Sequence, residues 1–297
     1  MRLVRARRQH DGWVPWAFIF PTVVGISAFY LWPTLQSVYF SFTEWGPFGG
    51  TTWIGAENYL RLAGDPQVLK ALGNTALYTA VTLLSIPLAI WLASLLNRPG
   101  LRGRTFFRIL FFLPVVTVPA AIAMVWKLMF NGEFGVINYV LSLVGITGPF
   151  WLQTPVVSIV AVAVVGIWTT LGFNMIILGA GLQTIPDELY EAAELDGASP
   201  VRRLLHVTVP LLTPSIFFVT TITVIASLKV FDLVFLMIGP TNPVIDDAQT
   251  LVYLFYDEGF LVNDKGYAAA IGVVVLLVIA AVTLVQFRLQ RRWVHYE

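Results

Sequence analysis

Six stretches of this chain, 13–36, 75–96, 106–130, 156–182, 214–238 and 267–287, are apolar over 21 residues or more. Roughly 20 such residues carry a helix across a bilayer. In lipid every backbone polar group must be satisfied within the protein, so repeated stretches of this length fold as a bundle of helices. With only 12% of residues charged, the interior of a soluble globule is excluded as the home of all six. The expected fold is an all-α polytopic membrane protein with six transmembrane helices. The first stretch follows a basic start and has two readings, a signal peptide or a retained span. Its apolar run is too long for a signal peptide and no A-x-A-like site closes it, which favours retention.

Charge sets the expected orientation. The segment before the first stretch holds Arg2, Arg5, Arg7 and Arg8, the 97–108 loop holds Arg98, Arg102, Arg104 and Arg108, and the 183–213 loop holds Arg202 and Arg203. With Arg288, Arg291 and Arg292 after the last stretch, that is thirteen of the 18 basic residues on one side. The positive-inside rule then places both termini in the cytoplasm, in agreement with an even number of spans. The chain divides into a basic N-terminal segment, 1–12, a membrane domain, 13–287, that includes the polar loop, and a cytoplasmic tail, 288–297.

The 183–213 loop is punctuated for two short helices. Pro186 suits the first position of a helix, and Asp187 and Glu188 follow where the helix dipole favours acids. A break is expected at Gly197, which adopts the left-handed conformation of a C-cap without cost. Ser199 then caps a second helix that has Pro200 in its first turn and runs to Pro210 at the start of the next span. Ala192 and Ala193 give the first helix a slim face that another surface can approach. A connector lying on the membrane surface satisfies the same signals.

Glu191-Ala192-Ala193, followed by Asp196-Gly197-Ala198 and then Val209-Pro210, resembles the E-A-A loop of bacterial ABC importer permeases. Val209-Pro210 stands where that family has Leu-Pro. Three further segments are similar to the carbohydrate-uptake branch: Ile54-Gly55-Ala56-Glu57-Asn58-Tyr59, Ala71-Leu72-Gly73-Asn74-Thr75 and Gly179 to Pro186. The resemblance implies a coupling mechanism. The E-A-A helix would sit in a cleft of a cytoplasmic ATPase, with Glu191, Ala192, Ala193, Asp196, Gly197, Ala198 and Pro210 as the coupling set. It also implies a second permease subunit, two ATP-binding subunits carrying ATP and Mg, and an extracytoplasmic solute-binding protein, all in or at a bacterial cytoplasmic membrane. The implied cargo is a sugar or polyol, with glycerol 3-phosphate as the alternative suggested by the 285–296 tail. Nucleic acid is not among the implied partners.

The chain's own chemistry fits a transport subunit better than an enzyme. No G-x-x-x-x-G-K-[ST] phosphate loop occurs, and none of the four lysines follows a glycine. There is no H-E-x-x-H pair, no cysteine and no G-x-S-x-G elbow. No cofactor or metal is expected on this chain. An ion-coupled secondary transporter would need ionisable groups within its spans, for which Asp232 alone stands, and no internal repeat supports it.

Four residues are candidates for the cargo pathway. Lys229 and Asp232 sit at i, i+3 in the fifth stretch and read either as pathway groups or as a structural ion pair near the interface. Asn174 reads as a cargo contact or as a hydrogen-bonding bridge between helices. Trp168 is the best pocket candidate of the ten tryptophans, most of which fall at span ends where aromatic belts form. Pro87, Pro114 and Pro119 are expected to permit kinks.

Overall fold

The computed structural model describes residues 13–46, 49–97 and 100–294. Several basic residues of the orientation argument, Arg2, Arg5, Arg7, Arg8 and Arg98, lie outside them, as do His10 and His295.

The chain opens with α1 (Val14–Ile26), a π-helical segment (Ser27–Leu31) and α2 (Trp32–Phe40), together one apolar helix. Two short strands, β1 (Thr43–Glu44) and β2 (Thr52–Trp53), pair antiparallel and lead into α3 (Glu57–Gly64). Next come α4 (Pro66–Thr82) and α5 (Ser85–Leu96), which form one span, then α6 (Arg104–Val116), α7 (Pro119–Met129) and the short α8 (Val136–Leu143). The central helix is α9 (Val157–Leu182). The polar loop supplies α10 (Asp187–Leu195), α11 (Pro200–Arg203), a second π-helical segment (Leu204–Thr208) and α12 (Val209–Leu211). After α13 (Thr213–Leu228) come three short helices, α14 (Asp232–Met237), α15 (Ile245–Ala248) and α16 (Leu251–Tyr256). A third π-helical segment (Asp257–Leu261) precedes α17 (Lys265–Trp293).

Four of these helices are long and apolar enough to cross a membrane, or six if each of two bent pairs is one span. Two of the expected continuous spans are broken in the structure. The 106–130 stretch turns through 101° between α6 and α7. Val118, which precedes Pro119, is held extended with ψ 128°, as the ring of a following proline requires. The 214–238 stretch also breaks, because α13 ends at Leu228 and α14 begins at Asp232. No proline causes this second break. There the carbonyl of Val230 leaves the helix ladder and accepts from Thr250 Oγ1 at 3.0 Å.

Helix α9 is the axle of the bundle, packing on α4, α5, α6 and α13. Its core residues Ile159, Val162, Val165 and Leu178 are fully buried. Close approach to α6 depends on Gly172, where an added Cβ would lie 2.1 Å from the backbone carbonyl oxygen of Phe111. Backbone cannot swing aside as a side chain can. Gly172→Ala is therefore expected to push α6 from α9 and to destabilise the subunit by about 1–3 kcal/mol. A thermal melt of the purified protein in detergent checks this, and an unchanged midpoint would show that the crossing relaxes freely.

Candidate coupling site

The polar loop emerges at one end of the bundle, directly after α9. Pro186 stands just outside the first helix as its N-cap, so Asp187 and Glu188 occupy the first turn. Helix α10 closes with a Schellman arrangement: Ala198 N donates to Ala193 O at 2.9 Å, and Gly197 N to Glu194 O at 3.0 Å. Gly197 takes φ 73°, the left-handed value this closure requires. Ser199 then caps α11 by accepting from Arg202 N. Gly197, Ser199 and Pro200 thus each occupy the position their local chemistry demands, whereas Pro186 stands one residue before the first helical position expected for it.

Two clasps hold the bent pair of helices. Arg203 donates to Glu194 at 2.8 Å, and Tyr190 Oη meets Thr208 Oγ1 at 3.1 Å. Between them and α5 lies a cleft of about 810 Å³, lined among others by Trp91, Asp187, Tyr190, Glu191 and Arg203. Glu191 is exposed, and no hydrogen bond or ion pair engages it among the described residues. Ala192 is exposed and Ala193 half-buried, while Leu189 and Leu195 present apolar surface at 42% and 89% exposure. Asp196 and Gly197 are exposed at the bend, and Ala198 is half-buried behind it. The arrangement offers a free carboxylate, a slim apolar face and a braced base.

Pro210 lies beyond the π-helical segment Leu204–Thr208, in which Val209 N bonds Leu204 O. A proline in a regular helix would clash with a carbonyl four residues back. The widened turn before it avoids that clash, and the chain then bends by 75° between Pro200–Leu211 and Thr213–Leu228. Leu212 at this corner is 1% exposed.

No hydrogen bond, ion pair or ring contact joins any two of the four pathway candidates among the described residues. Asn174 is 1% exposed and donates to Ser85 Oγ at 3.2 Å and Thr223 Oγ1 at 3.3 Å, so it bridges α5, α9 and α13. Trp168 joins an aromatic row through Trp126, 5.7 Å away, and on to Phe130 and Trp151. Lys229 and Asp232 are both exposed, flank the break after α13, and form no ion pair with each other. The i, i+3 geometry anticipated for them fails because they belong to no common helix.

At the opposite end, the asparagines and threonine of the segments similar to the carbohydrate-uptake branch hold backbone together. Asn58 donates to Ser41 O and Thr43 O, fastening α3 under the β1–β2 pair. Asn74 Nδ2 donates to Asp247 O and Gln249 O, both at 2.9 Å, and Thr75 Oγ1 accepts from Leu251 N at 3.0 Å. Nearby, Arg61 reaches Asp264 at 2.6 Å, lies 3.7 Å over the Tyr267 ring and comes within 3.7 Å of Glu258.

Burial of Glu258 raises its carboxyl above the usual range despite the opposing pull of Arg61, and Asp264, Asp257 and Asp65 raise it further. Its Oε2 has no hydrogen-bond partner among the described residues. The folded protein therefore holds this proton more tightly than the unfolded chain. Its favourable contribution is complete below the ordinary carboxylate value of 4.5 and is lost as pH rises through the raised value. Glu258→Gln is expected to melt above the parent protein at about pH 7 and to match it at about pH 4. Equal midpoints at both values would refute the assignment.

A family model described as "Binding-protein-dependent transport system inner membrane component" matches residues 85–295. The chain belongs to that family. The match spans α5 through α17 and so contains the whole 183–213 loop. Among curated relatives, the chain is similar to the arabinooligosaccharides transport system permease protein AraP of Halalkalibacterium halodurans, with 35% identity over 93% of this chain and 87% of that one. It is similar also to the sn-glycerol-3-phosphate transport system permease protein UgpA of Agrobacterium fabrum, with 32% identity over 95% and 96% of the two chains. A crystal structure of a bacterial ABC transporter involved in the import of the acidic polysaccharide alginate superposes with a TM-score of 0.81 at 25% identity, covering 94% of this chain and 96% of that one. This inner-membrane component is thus a permease subunit of an ABC importer and not an enzyme, and ATP hydrolysis belongs to separate subunits.

Proposed function

We propose that this permease subunit carries a carbohydrate or related polyol across a bacterial cytoplasmic membrane, driven by ATPase subunits acting on the α10–α11 lever. The observation that carries the reading is the free Glu191 on a braced, exposed helix at the end of a family-matched bundle. In this reading the bent pair α6–α7 counts as one span and α13 with α14 as another, giving six with the four long helices, and both termini and the 183–213 loop face the cytoplasm. A second permease chain completes the pathway, two ATPases bind ATP and Mg, and a solute-binding protein docks on the far side. The boundaries at 12, 183–213 and 288 belong to the same proposal.

The relatives named for arabinooligosaccharides and the alginate importer support a saccharide cargo. A second reading, glycerol 3-phosphate, has support in the relatives named for that solute and in the exposed cation of Lys229. ATP-dependent uptake by the complex reconstituted in liposomes, with labelled oligosaccharides and glycerol 3-phosphate as parallel arms, decides between them. Uptake that proceeds without ATPase subunits and follows an ion gradient would overturn both.

A further inference from the structure

At the end of the bundle from which α10 emerges, α5, α6 and α9 enclose a second groove of about 290 Å³. Leu96, Met175, Ile176 and Gly179 make it largely apolar, and Arg108 and Gln183 supply its polar lining. The space is many times the ~30 Å³ share of one water. An added Cβ on Gly179 would meet nothing within 4 Å, so the slot is open down to the backbone of α9.

Arg108 is partly buried, yet no hydrogen bond or ion pair engages it among the described residues. Its guanidinium carries five donors in a fork that matches a phosphate. Snorkelling alone accounts for a cation that reaches headgroup level. It does not account for an open apolar slot running from that cation between three helices. An unpaired cation above an apolar slot complements a phospholipid, which brings a phosphate and a hydrocarbon chain joined at that spacing. Basic pockets between membrane helices on the cytoplasmic side take anionic headgroups for this reason. A free phosphate would leave the slot unfilled, and a protein segment would have to carry an acidic group at the level of the hydrocarbon edge.

We propose that this groove binds one anionic phospholipid of the inner leaflet, its phosphate on Arg108 and one acyl chain in the slot. The proposal rests on the reading that this end faces the cytoplasm. The lipid then lies against Gln183, the C-cap of α9, four residues before the coupling helix.

The test is native mass spectrometry of the purified importer complex with phosphatidylglycerol, phosphatidylcholine and inorganic phosphate in parallel. One phosphatidylglycerol is expected to be retained per copy of this chain in preference to phosphatidylcholine, and inorganic phosphate should not displace it. Arg108→Gln is expected to weaken retention about fivefold, the effect of one basic residue at an anionic surface. Arg108→Lys keeps the charge and should keep most of the binding. Gly179→Leu leaves the cation and grows into the groove from a Cβ position that meets nothing within 4 Å, so it should weaken retention, with an unchanged melting midpoint as the control for folding. Equal retention of the two lipids, unchanged retention in Arg108→Gln, or displacement by phosphate would each overturn the proposal. So would cross-linking of a photoreactive residue at Ile176 to a second permease chain. ATP-driven uptake by the same preparations separates the two failures: intact uptake without lipid selectivity removes only the lipid site, whereas ATP-independent uptake by the parent complex removes the functional reading.

Discussion

Replacing Glu191 by Ala is expected to lower ATP-driven uptake on the order of tenfold or more while leaving the subunit folded. The carboxylate engages no partner among the described residues, so its loss costs the fold nothing that the structure shows. Alanine is the best helix former, so α10 itself persists. A charge that becomes desolvated against a partner is another matter, since truncating one member of such a pair commonly costs 2–5 kcal/mol, about thirtyfold or more. Gly197→Pro should have a comparable effect on uptake by a different route. Proline fixes φ near −65° where Gly197 sits at 73°, and it removes the N–H that closes α10 on Glu194 O. The two variants separate contact from geometry. ATPase subunits should still co-purify with the Gly197 variant more readily than with the Glu191 variant. Uptake at the parent level in both would remove the loop from the coupling route.

The second large effect concerns the far end. Asn74→Leu keeps the volume of the side chain but strips the donor from two backbone carbonyls, those of Asp247 and Gln249. Leaving buried acceptors unpaired costs about 1–3 kcal/mol. Thr75→Val removes the acceptor for Leu251 N and should cost a similar amount. Both residues hold the same backbone segment, so the double variant should fall short of the sum. Thermal melting of the four proteins in detergent measures this. Strict additivity would mean that the segment is held independently at each point, against the shared turn of α4 seen here.

The two short helices of the 183–213 loop were readable in the sequence because Gly197, Ser199 and Pro200 each state a local backbone demand that tertiary structure had no reason to override, and Pro186 falls within one residue of its expected place. The central helix was readable for a related reason: α9 has no internal proline and no charged residue. The turn between α6 and α7 is half visible in Pro119, because a proline permits a kink but does not set its angle, here 101°. The break after Leu228 has no proline or glycine to announce it. Lys229 and Asp232 flank it, but neither stops a helix, and the Val230 carbonyl there accepts from Thr250, twenty residues on. That is why Lys229 and Asp232 looked like neighbours on one helix. Asn58, Asn74 and Thr75 were visible as motif letters, but their partners are backbone atoms of other segments, and a sequence pattern does not name its acceptors.

The corner at Leu212 makes the connection between loop and membrane a bell crank. Helices α11 and α12, with the π-turn between them, form one arm, α13 forms the other, and the arms meet at 75° about a pivot held in the core. With arms so nearly perpendicular, thrust along the first becomes mostly sideways travel of the second. An engine pushing on the loop would then swing α13 across the bundle instead of driving it through the bilayer. Shifting a helix sideways leaves its apolar length matched to the hydrocarbon, whereas plunging it would drag polar ends into lipid.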